Sequence, residues 1–346
     1  MDFNWITIKK PLLEWYQKSH RDLKWRNTKE PYYIWISEIM LQQTRVEAVK
    51  GYYERFIREI PDIKALSAIE EEKLLKLWEG LGYYNRARNL KKAAVQIMEL
   101  YDGRFPAKYE EVLGLPGIGE YTAGAICSIC YGLPTPAVDG NVLRVMVRLL
   151  DCYDNIDDLK TRRMARQNLL SLYHEGSCDM LTQAFMELGA MVCIPNGVPK
   201  CQDCPLNVAC LAYKRDTWNK LPVRKEKKKR KIEEKTVFIL HDGNQYGIRK
   251  RGSKGLLADM WEFYHVDKRM DAHQAVEYVS ECGFEPVLLE KEIPYTHIFT
   301  HVEWRMTAYY IQCRRKKEEL LWVDKDAFDT MYALPSAYKV FLEKES

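Results

Sequence analysis

The sequence predicts a two-domain protein, in which an all-helical region reaching residue 221 is followed by a smaller α+β domain. Apolar residues recur at helical spacing in successive stretches from residue 5 to residue 193. A charged stretch at 221–235 then shows no apolar periodicity, as is typical of a linker. After it, strand-like runs flank a turn at His241–Asn244, which indicates a hairpin. With 346 residues, 47% of them hydrophobic, the chain is long enough to build two cores.

Composition narrows the class of protein. The net charge of +4 is too small to identify a partner, although seven of the eight residues at 224–231 are basic. The N-terminus lacks the apolar core of a signal peptide, and no stretch is apolar enough to span a membrane. Ten cysteines in a chain expected in the cytoplasm favour free thiols and a metal site over disulfides.

The first two predicted helices bring candidate site residues. Residues 5–18 have helical apolar spacing, and a polar stretch after them ends in Lys24-Trp25-Arg26, where a solvated arginine is the simplest interpretation. The helix that begins after Pro31 contains Glu38 among large apolar residues. Most glutamates in helices are solvated, but burial here would raise the carboxyl pKa into the range that a general acid needs.

Two turns follow. The helices predicted between residues 73 and 99 are joined by EGLGYY at 79–84, which either exposes a tyrosine ring or packs it as a helix cap. The LPGIG turn, with Gly117 and Gly119, opens a helix at Thr122–Cys130, and its glycines are predicted to allow positive φ. Such a turn is either an ordinary hairpin or a backbone clamp for a phosphate.

An acid and a set of thiols complete the helical region. Asp139 precedes a helix predicted at Val142–Leu150. It is either a structural N-cap or a functional carboxylate whose ionised form the helix N-terminus favours. A further helix ends in ELGAMVC, and a proline-bearing loop after it carries four cysteines, Cys193, Cys201, Cys204 and Cys210. Four thiolates suit either a [4Fe–4S] cluster or structural zinc; the uneven spacing lacks paired CxxC knuckles and favours the cluster.

These motifs together resemble a known group of proteins. The LPGIG turn with Asp139 in VDGNV resembles the helix-hairpin-helix DNA glycosylase superfamily, and SEIMLQQT around Glu38 is similar to the catalytic helix of its adenine DNA glycosylases, the MutY family. The resemblance implies an all-α helix-hairpin-helix glycosylase region with an iron–sulfur cluster loop, followed by an α+β Nudix (MutT)-like domain. It implies a catalytic region at 1–221, made of a six-helix unit at about 28–136 and a cluster-bearing unit of 1–27 plus 137–221. A basic linker at 222–235 and a MutT-like domain at 236–346 follow.

The same resemblance implies roles for individual residues. Glu38 would protonate adenine and Asp139 would stabilise the cationic sugar. Tyr121 would orient Asp139, and Asn141 would hold either a water or this acid. The remaining implied contacts are an adenine pocket of Trp25, Arg26 and Gln183; DNA contacts from Gln43, Thr44, Leu81, Tyr83, Gly117 and Gly119; an 8-oxoguanine reader of Phe299, Thr300 and His301; and cluster ligands Cys193, Cys201, Cys204 and Cys210.

Some positions separate this chain from the bifunctional members of the superfamily or depart from the usual family pattern. Tyr121 stands where the bifunctional endonuclease III type has a Schiff-base lysine, which implies base excision without an efficient lyase step. The first gap between the four cysteines is one residue longer than usual, and Asn196-Gly197 is able to absorb it as a turn. Val276 and Ser280 replace an arginine and a glutamate of the Nudix box, so pyrophosphatase activity is not expected.

The sequence is therefore interpreted as a monofunctional glycosylase that removes adenine paired with 8-oxoguanine or guanine from double-stranded DNA. We expect a monomer with a [4Fe–4S] cluster in the bacterial cytoplasm, at the nucleoid. Two alternatives remain: a bifunctional endonuclease III-like glycosylase/lyase, against which Tyr121 speaks, and a non-enzymatic DNA-damage-binding protein, against which the pair Glu38 and Asp139 speaks. The basic run at 224–231 is predicted to be a solvated linker near DNA phosphates; a nuclear-import signal is the competing interpretation.

Overall fold

The computed structural model describes residues 3–174, 176–226, 229–314 and 317–343. These residues form two compact units. One contains residues 3–68 and 89–226, and the other contains residues 69–88 together with 229–343. Residues 227 and 228 of the predicted linker lie outside the described residues. In the described part of the chain, no helix combines the length and the apolar character that crossing a membrane requires.

The N-terminal region is helical, as predicted. Its helices are α1 (Ile6–Ser19), α2 (Pro31–Leu41), α3 (Val46–Glu59), α4 (Ile63–Ala68), α5 (Glu71–Leu77), α6 (Asn85–Leu100), α7 (Tyr109–Leu113), α8 (Glu120–Tyr131), α9 (Gly140–Leu150), α10 (Leu159–Leu170), α11 (Cys178–Met191) and α12 (Leu211–Lys214). Single 3-10 turns lie at Lys24–Arg26, Cys201–Asp203 and Trp218–Lys220.

The apolar periodicity of the sequence becomes the core of the first unit. Leu12 of α1, Met146 of α9 and Phe185 of α11 are fully buried in one cluster, to which α10 adds Leu169. Since apolar residues three or four apart lie on one face of a helix, each helix contributes a buried stripe and leaves its polar face outside. This packing fixes α9 and α11, which carry much of the candidate site.

The C-terminal part of the second unit is an α+β fold around one mixed sheet, as predicted. Its six described strands are β1 (Lys231–His241), β2 (Gln245–Lys250), β3 (Trp261–Val266), β4 (Pro286–Ile298), β5 (Val302–Cys313) and β6 (Leu321–Asp324). They lie in the order β4-β5-β1-β3-β2-β6. The pair β1–β5 is parallel and the other pairings are antiparallel. The helices of this fold are α13 (Ala272–Glu281), α14 (Ala327–Thr330) and α15 (Ser336–Glu343).

Each face of the sheet has its own core. Val237, Phe263 and Tyr310 pack with α14 and α15 on one face. On the other face, Phe238 and Tyr309 pack against α13. Since side chains alternate along a strand, the neighbours Val237 and Phe238 serve opposite faces. The sheet is therefore buried on both sides and holds the tight β4–β5 turn at residues 299–301 in a fixed register.

The sequence prediction differs from the structure at three strands. Strand β1 begins at Lys231, inside the predicted linker, because its first residues pair with β5 from Val302 onwards. Strands β3 and β6 were not predicted: each is short, and β3 follows a turn-rich stretch that gives no alternating signal of its own. Pairing with neighbouring strands, rather than local pattern, defines all three.

Candidate active site

The first unit contains a cleft of about 840 Å³ between α2, α8, α9, α11 and the turn at Lys24–Arg26. Predicted site residues from distant parts of the chain line it: Trp25, Arg26, Glu38, Gln43, Thr44, Tyr121, Asp139, Asn141 and Gln183. The cleft thus takes side chains from both of the parts predicted for the catalytic region. Its volume lies within the range of pockets that bind small molecules.

Glu38 is a buried acid. Helix α2 begins with Pro31 in its first turn and buries residues on all sides, so Glu38 is only 5% exposed. The Tyr121 hydroxyl donates a hydrogen bond of 2.8 Å to its Oε2 atom. Burial raises the pKa of Glu38 to about 7; the bond from Tyr121 lowers it, and the charge of Asp139 raises it. Near neutral pH, Glu38 is therefore able to hold a proton and to give it up.

Asp139 lies in a contrasting environment. It is the N-cap of α9, and its Oδ1 accepts from the Val142 N–H at 2.7 Å while its Oδ2 accepts from the Asn141 amide at 2.7 Å. Burial raises the pKa of Asp139 above its usual value, and these two donors and the charge of Arg144 offset part of that rise. Three groups thus stabilise the carboxylate form, in keeping with both of its predicted interpretations.

Tyr121 has a different partner from the one expected. The resemblance implied that it orients Asp139, but its hydroxyl bonds to Glu38 and also lies 3.8 Å from the sulfur of Met186. Burial raises the pKa of Tyr121 well above its usual value, so the phenol stays neutral and donates. Asn141, the other expected partner, does bond to Asp139.

A buried arginine supports Asn141 from behind. Arg144 is 3% exposed, and its guanidinium donates to the Asn141 side-chain oxygen at 2.9 Å. It also donates to the carbonyls of Gly189 at 2.7 Å and Cys193 at 2.8 Å. Gly189 permits this approach, since a Cβ there would lie 2.7 Å from the Cβ of Asn141. Asp139 is thus linked through two side chains to the start of the cysteine loop.

The predicted adenine pocket residues are rigidly held. Trp25 is 5% exposed and packs edge-on against Tyr53 at 5.2 Å. Gln183 receives a hydrogen bond of 3.0 Å from the Tyr16 hydroxyl. Arg26, expected to be solvated on residue type alone, instead forms an ion pair with buried Glu187.

Sequence reasoning missed Glu187, its partner Arg21, and Tyr16. Glu187 is fully buried and accepts from Arg21 through Nε at 2.7 Å and through the backbone N–H at 2.9 Å. Burial alone would raise its pKa, but the bonds from Arg21 and Arg26 lower the pKa of Glu187 to about 2. A signal was present: Glu187 interrupts an apolar stretch of α11, as Glu38 does in α2.

The turn before α8 presents a bare helix N-terminus. Gly117 has φ +78°, which favours glycine, and a Cβ there would lie 2.6 Å from the Cβ of Asn89. Both the backbone conformation and the available space therefore require glycine at this position. Gly119 is the N-cap with φ −99°; it does not use the positive φ predicted for it. No side chain caps this terminus, so its first N–H groups are open to an acceptor such as an anion.

Gln43 and Thr44 lie just past the end of α2, at the rim of the cleft. Gln43 is exposed and adopts a left-handed backbone conformation with φ +60°, which is uncommon for a residue with a side chain. The turn that contains it redirects the chain into α3. These placements are compatible with the predicted DNA contacts and leave them a prediction.

The remaining predicted DNA contacts belong to the second unit. Tyr83 is 51% exposed and has φ +50°. Of the two arrangements that the sequence allowed, the ring is exposed and is not packed as a helix cap. Leu81 differs from the expectation, since it is only 6% exposed. On the β4–β5 turn, Thr300 and His301 are exposed and Phe299 is half-buried. The predicted site residues therefore divide between the two units.

The four cysteines of the loop surround one small cavity of about 30 Å³, together with Arg148. Arg148 donates to the Cys193 sulfur at 3.3 Å, and the Cys210 thiol donates to the Arg148 carbonyl at 3.4 Å. Among the described residues, no three His, Cys, Asp or Glu side chains are arranged to hold a metal ion as they stand. Four thiols around one space, beside a cation, form a donor set that suits either an iron–sulfur cluster or a single zinc ion.

Comparisons with known proteins agree with this geometry. Residues 36–172 match the model of the HhH-GPD superfamily base excision DNA repair protein, and residues 236–344 match the NUDIX domain model. The adenine DNA glycosylase of Buchnera aphidicola (strain APS) is 35% identical over 84% of this chain and 82% of its own. The enzyme of that name from strain Sg is 32% identical over 96% of both chains.

A solved structure supports the fold. A thermostable thymine-DNA glycosylase is 27% identical and superposes with a TM-score of 0.56 over 61% of this chain and 96% of its own. The helical region, the mixed-sheet domain, the buried acid and the full-length relatives lead to one assignment. The chain belongs to the adenine DNA glycosylase family of helix-hairpin-helix base excision repair enzymes.

Proposed function

We propose that the protein is a monofunctional glycosylase that hydrolyses the N-glycosidic bond of adenine paired with 8-oxoguanine or guanine in duplex DNA. The observation that carries the proposal is the pair Glu38 and Asp139 on one cleft. Burial raises the pKa of both carboxyl groups, to about 7 in Glu38, while the Val142 N–H, the Asn141 amide and Arg144 oppose that rise in Asp139. Two carboxyl groups held in different states are what acid-assisted glycoside hydrolysis needs.

The chemistry follows from these surroundings. Adenine, turned out of the duplex, enters the cleft between Trp25 and Gln183. Glu38 donates its proton to a ring nitrogen, which turns the base into a better leaving group. Asp139, as a carboxylate, faces the positive charge that develops on the sugar, and it stabilises that charge or captures the sugar transiently before water adds. Asn141 and Arg144 keep Asp139 in place during this change.

Tyr121 supports the monofunctional assignment. A lyase of this superfamily needs an amine to form an imine with the sugar, and a phenol cannot supply one. The Tyr121 hydroxyl is moreover engaged by Glu38 at 2.8 Å, so its task is to hold the acid. Release of the base therefore leaves an intact strand with an abasic site.

DNA binding is assigned to four features. The uncapped N-terminus of α8 binds a backbone phosphate, and Gln43 and Thr44 contact the opposite strand. Tyr83 inserts beside the oxidised guanine, with Leu81 behind it, while Phe299, Thr300 and His301 recognise that base. The protein acts as a monomer on chromosomal DNA, in the cytoplasm of a bacterial cell.

The four loop cysteines would hold a [4Fe–4S] cluster. Burial raises the pKa of the Cys204 thiol to about 12 and also raises that of Cys210, so both need a bound cation to become thiolates. The cluster would supply a structural clamp for the loop. Independently of the metal, Arg144 and Arg148 of α9 hold the loop by donating to the carbonyl and the sulfur of Cys193.

A single-turnover reaction tests the function. A duplex with adenine opposite 8-oxoguanine is incubated with excess protein, and each sample is divided into alkali-treated and untreated halves. We expect strand breaks only after alkali, because base release without lyase chemistry leaves an alkali-labile site. Breaks in the untreated half would establish the bifunctional alternative, and no breaks in either half would overturn the proposal.

Asp139→Asn provides the matched control. It keeps the size of the side chain and one acceptor oxygen, but it replaces the other acceptor with an NH2 donor and removes the negative charge. We expect it to abolish base release while duplex affinity, measured by fluorescence anisotropy, stays within about a factor of three. Substantial turnover by this variant would contradict the role given to Asp139.

A further inference from the structure

One tyrosine of α1 lies directly behind the wall of the cleft. Tyr16 is 6% exposed and belongs to the apolar core to which α1 and α11 contribute. Its hydroxyl donates to the side-chain oxygen Oε1 of Gln183 at 3.0 Å, although the two residues are 167 positions apart in the sequence. Gln183, unlike Tyr16, is among the described residues that line the cleft. The bond therefore joins the buried core to a side chain that is predicted to contact the extruded base.

The ring of Tyr16 is held in place without help from its hydroxyl. The ring of His20 stacks on it with the centres 4.8 Å apart, and the guanidinium of Arg26 lies 5.9 Å from its centre. Arg26 is itself fixed by its ion pair with buried Glu187. Removal of the hydroxyl alone should therefore leave the ring where it is, and the hydroxyl is free to serve Gln183.

The direction of the bond orients the Gln183 amide. Burial raises the pKa of Tyr16, so the phenol keeps its hydrogen near neutral pH. A buried hydroxyl hydrogen needs an acceptor, and in the described part of the chain Tyr16 finds it in Oε1 of Gln183. No bond from the Gln183 NH2 group to another described residue competes with this arrangement. The NH2 group and the second lone pair of Oε1 thus remain for a ligand of the cleft.

We propose that Tyr16 is a positioning residue that fixes the order of donor and acceptor on Gln183, and that it thereby selects adenine over purines that carry an oxygen at position 6. The inference rests on the proposed function and extends it from bond cleavage to the choice of base. Tyr16 does not touch the base, and it acts through the Gln183 amide.

The selection follows from the hydrogen-bonding pattern of the bases. The 6-amino group of adenine is a donor that lies beside a ring nitrogen, which is an acceptor. A glutamine amide matches this pair with two bonds, because its oxygen accepts from the amino group while its NH2 group donates to the ring nitrogen. Hypoxanthine and guanine have a carbonyl oxygen at position 6. That oxygen would face Oε1 of Gln183, and neither atom carries a hydrogen to share.

An amide without the Tyr16 bond would escape this conflict. The terminal torsion of a glutamine is broad and roughly two-fold, so half a turn exchanges its oxygen and its NH2 group. The rotated amide would donate to the carbonyl oxygen of hypoxanthine. With Tyr16 present, the same rotation would place NH2 hydrogens against the phenol hydrogen and leave that hydrogen without an acceptor. The hydroxyl of Tyr16 therefore opposes the orientation that accepts the wrong base.

Tyr16→Phe tests the inference, because it keeps the ring and removes only the hydroxyl. Single-turnover release with excess protein is measured on two duplexes, with adenine or hypoxanthine opposite 8-oxoguanine. We expect the ratio of the adenine rate to the hypoxanthine rate to fall about threefold to tenfold, the worth of one hydrogen bond. The fall should come mainly from faster release of hypoxanthine, a gain that general loss of structure does not produce. An unchanged ratio would overturn the inference, as would hypoxanthine release below detection in both proteins.

Two further variants separate positioning from a loss of stability. Tyr32→Phe is the matched control, since Tyr32 is buried away from the cleft and its hydroxyl donates to the Ile60 carbonyl at 2.6 Å. It also loses one buried hydrogen bond, and its ratio should equal that of the unmodified protein. In a Gln183→Leu background there is no amide to orient, so Tyr16→Phe should change the ratio no further. An equal fall in that background would overturn the inference.

The same measurements distinguish this inference from the proposed function. If the unmodified protein releases no adenine, the proposed function is wrong and the inference falls with it. If adenine is released normally and the ratio does not respond to Tyr16→Phe, only the inference is wrong.

Discussion

At the scale of single residues, the site depends on a difference between two carboxyl groups. Glu38 is surrounded by the apolar side chains of α2 and receives one hydroxyl donor. Asp139 caps a helix and receives an amide and a backbone N–H. The first environment favours the protonated acid, and the second stabilises the anion. One cleft therefore offers both a proton donor and a negative charge.

This difference predicts the pH dependence of base release. Since burial raises the pKa of Glu38 to about 7, its protonated fraction, and with it the rate, should fall as pH rises through 7. Single-turnover rates from about pH 5 to pH 9 should decline roughly tenfold per unit on the alkaline side. Tyr121→Phe removes the donor that lowers this pKa and should move the decline to higher pH. A rate that stays constant to about pH 9 would contradict the role of Glu38.

Single residues also show which parts of the candidate site could be predicted from the sequence. Glu38 and Asp139 were predictable because each belongs to a string of residues that resembles a known motif. Glu187 was missed: its place in an apolar stretch indicated burial, but its partners Arg21 and Arg26 are 166 and 161 positions away and no local pattern identifies them. The change of partner by Tyr121, from Asp139 to Glu38, depends on where α2 and α8 cross. That crossing is a property of the packing.

At the scale of elements, the turn before α8 shows that two glycines of one motif have unequal tasks. Gly117 adopts φ +78° against the side chain of Asn89, whereas Gly119 has an ordinary backbone conformation and open space around its Cβ position. The turn shape therefore rests on Gly117. Gly119 leaves room beside the bare helix terminus for whatever binds there.

Gly117→Ala should accordingly destabilise the protein, because the new Cβ meets Asn89 and the left-handed conformation is strained for alanine. We expect a loss of roughly 1–3 kcal/mol in the free energy of unfolding, measured by urea denaturation, and weaker duplex binding. Gly119→Ala is the matched control, and its free energy of unfolding should change by less than about 0.5 kcal/mol. Equal losses for the two variants would refute this account of the turn.

The elements differ in how well they could be predicted. Helices α1, α8 and α9 came out of the apolar spacing within a few residues of their observed ends. Strands β3 and β6 did not, since each is short and owes its existence to its neighbours in the sheet. The early start of β1 has the same cause: its charged residues pair with β5, which no local pattern indicates.

At the scale of the whole molecule, the cysteine loop connects separate parts of the first unit. Its first residue, Cys193, is tied to α9 through Arg144 and Arg148. Its last residue, Cys210, bonds to the Arg148 carbonyl. The loop is thus bound to α9, whose N-cap is Asp139. A substitution that disturbs the loop should therefore also disturb the position of Asp139 in the cleft.

Cys204→Ser should therefore lower both the metal content and the thermal stability of the protein. Serine is a poor ligand for iron, and the loop would lose one of its four attachments. We expect loss of most of the bound iron and a Tm several degrees lower, measured by iron analysis and calorimetry. Cys152→Ser, a thiol outside the loop, should leave both quantities nearly unchanged. Full iron content in Cys204→Ser would contradict the assignment of the ligands.

The grouping of residues 69–88 with the C-terminal fold bears on modularity. The sequence suggests that the chain can be divided at the basic linker. Such a cut would remove Leu334 and Lys339, from which Glu79 accepts hydrogen bonds. A chain shortened at the linker would keep Tyr83 but lose the C-terminal fold that holds the loop at residues 79–84 through Glu79. A substitution at Lys339 would therefore remove a contact of the loop at residues 79–84, although Glu79 lies 260 positions earlier in the chain.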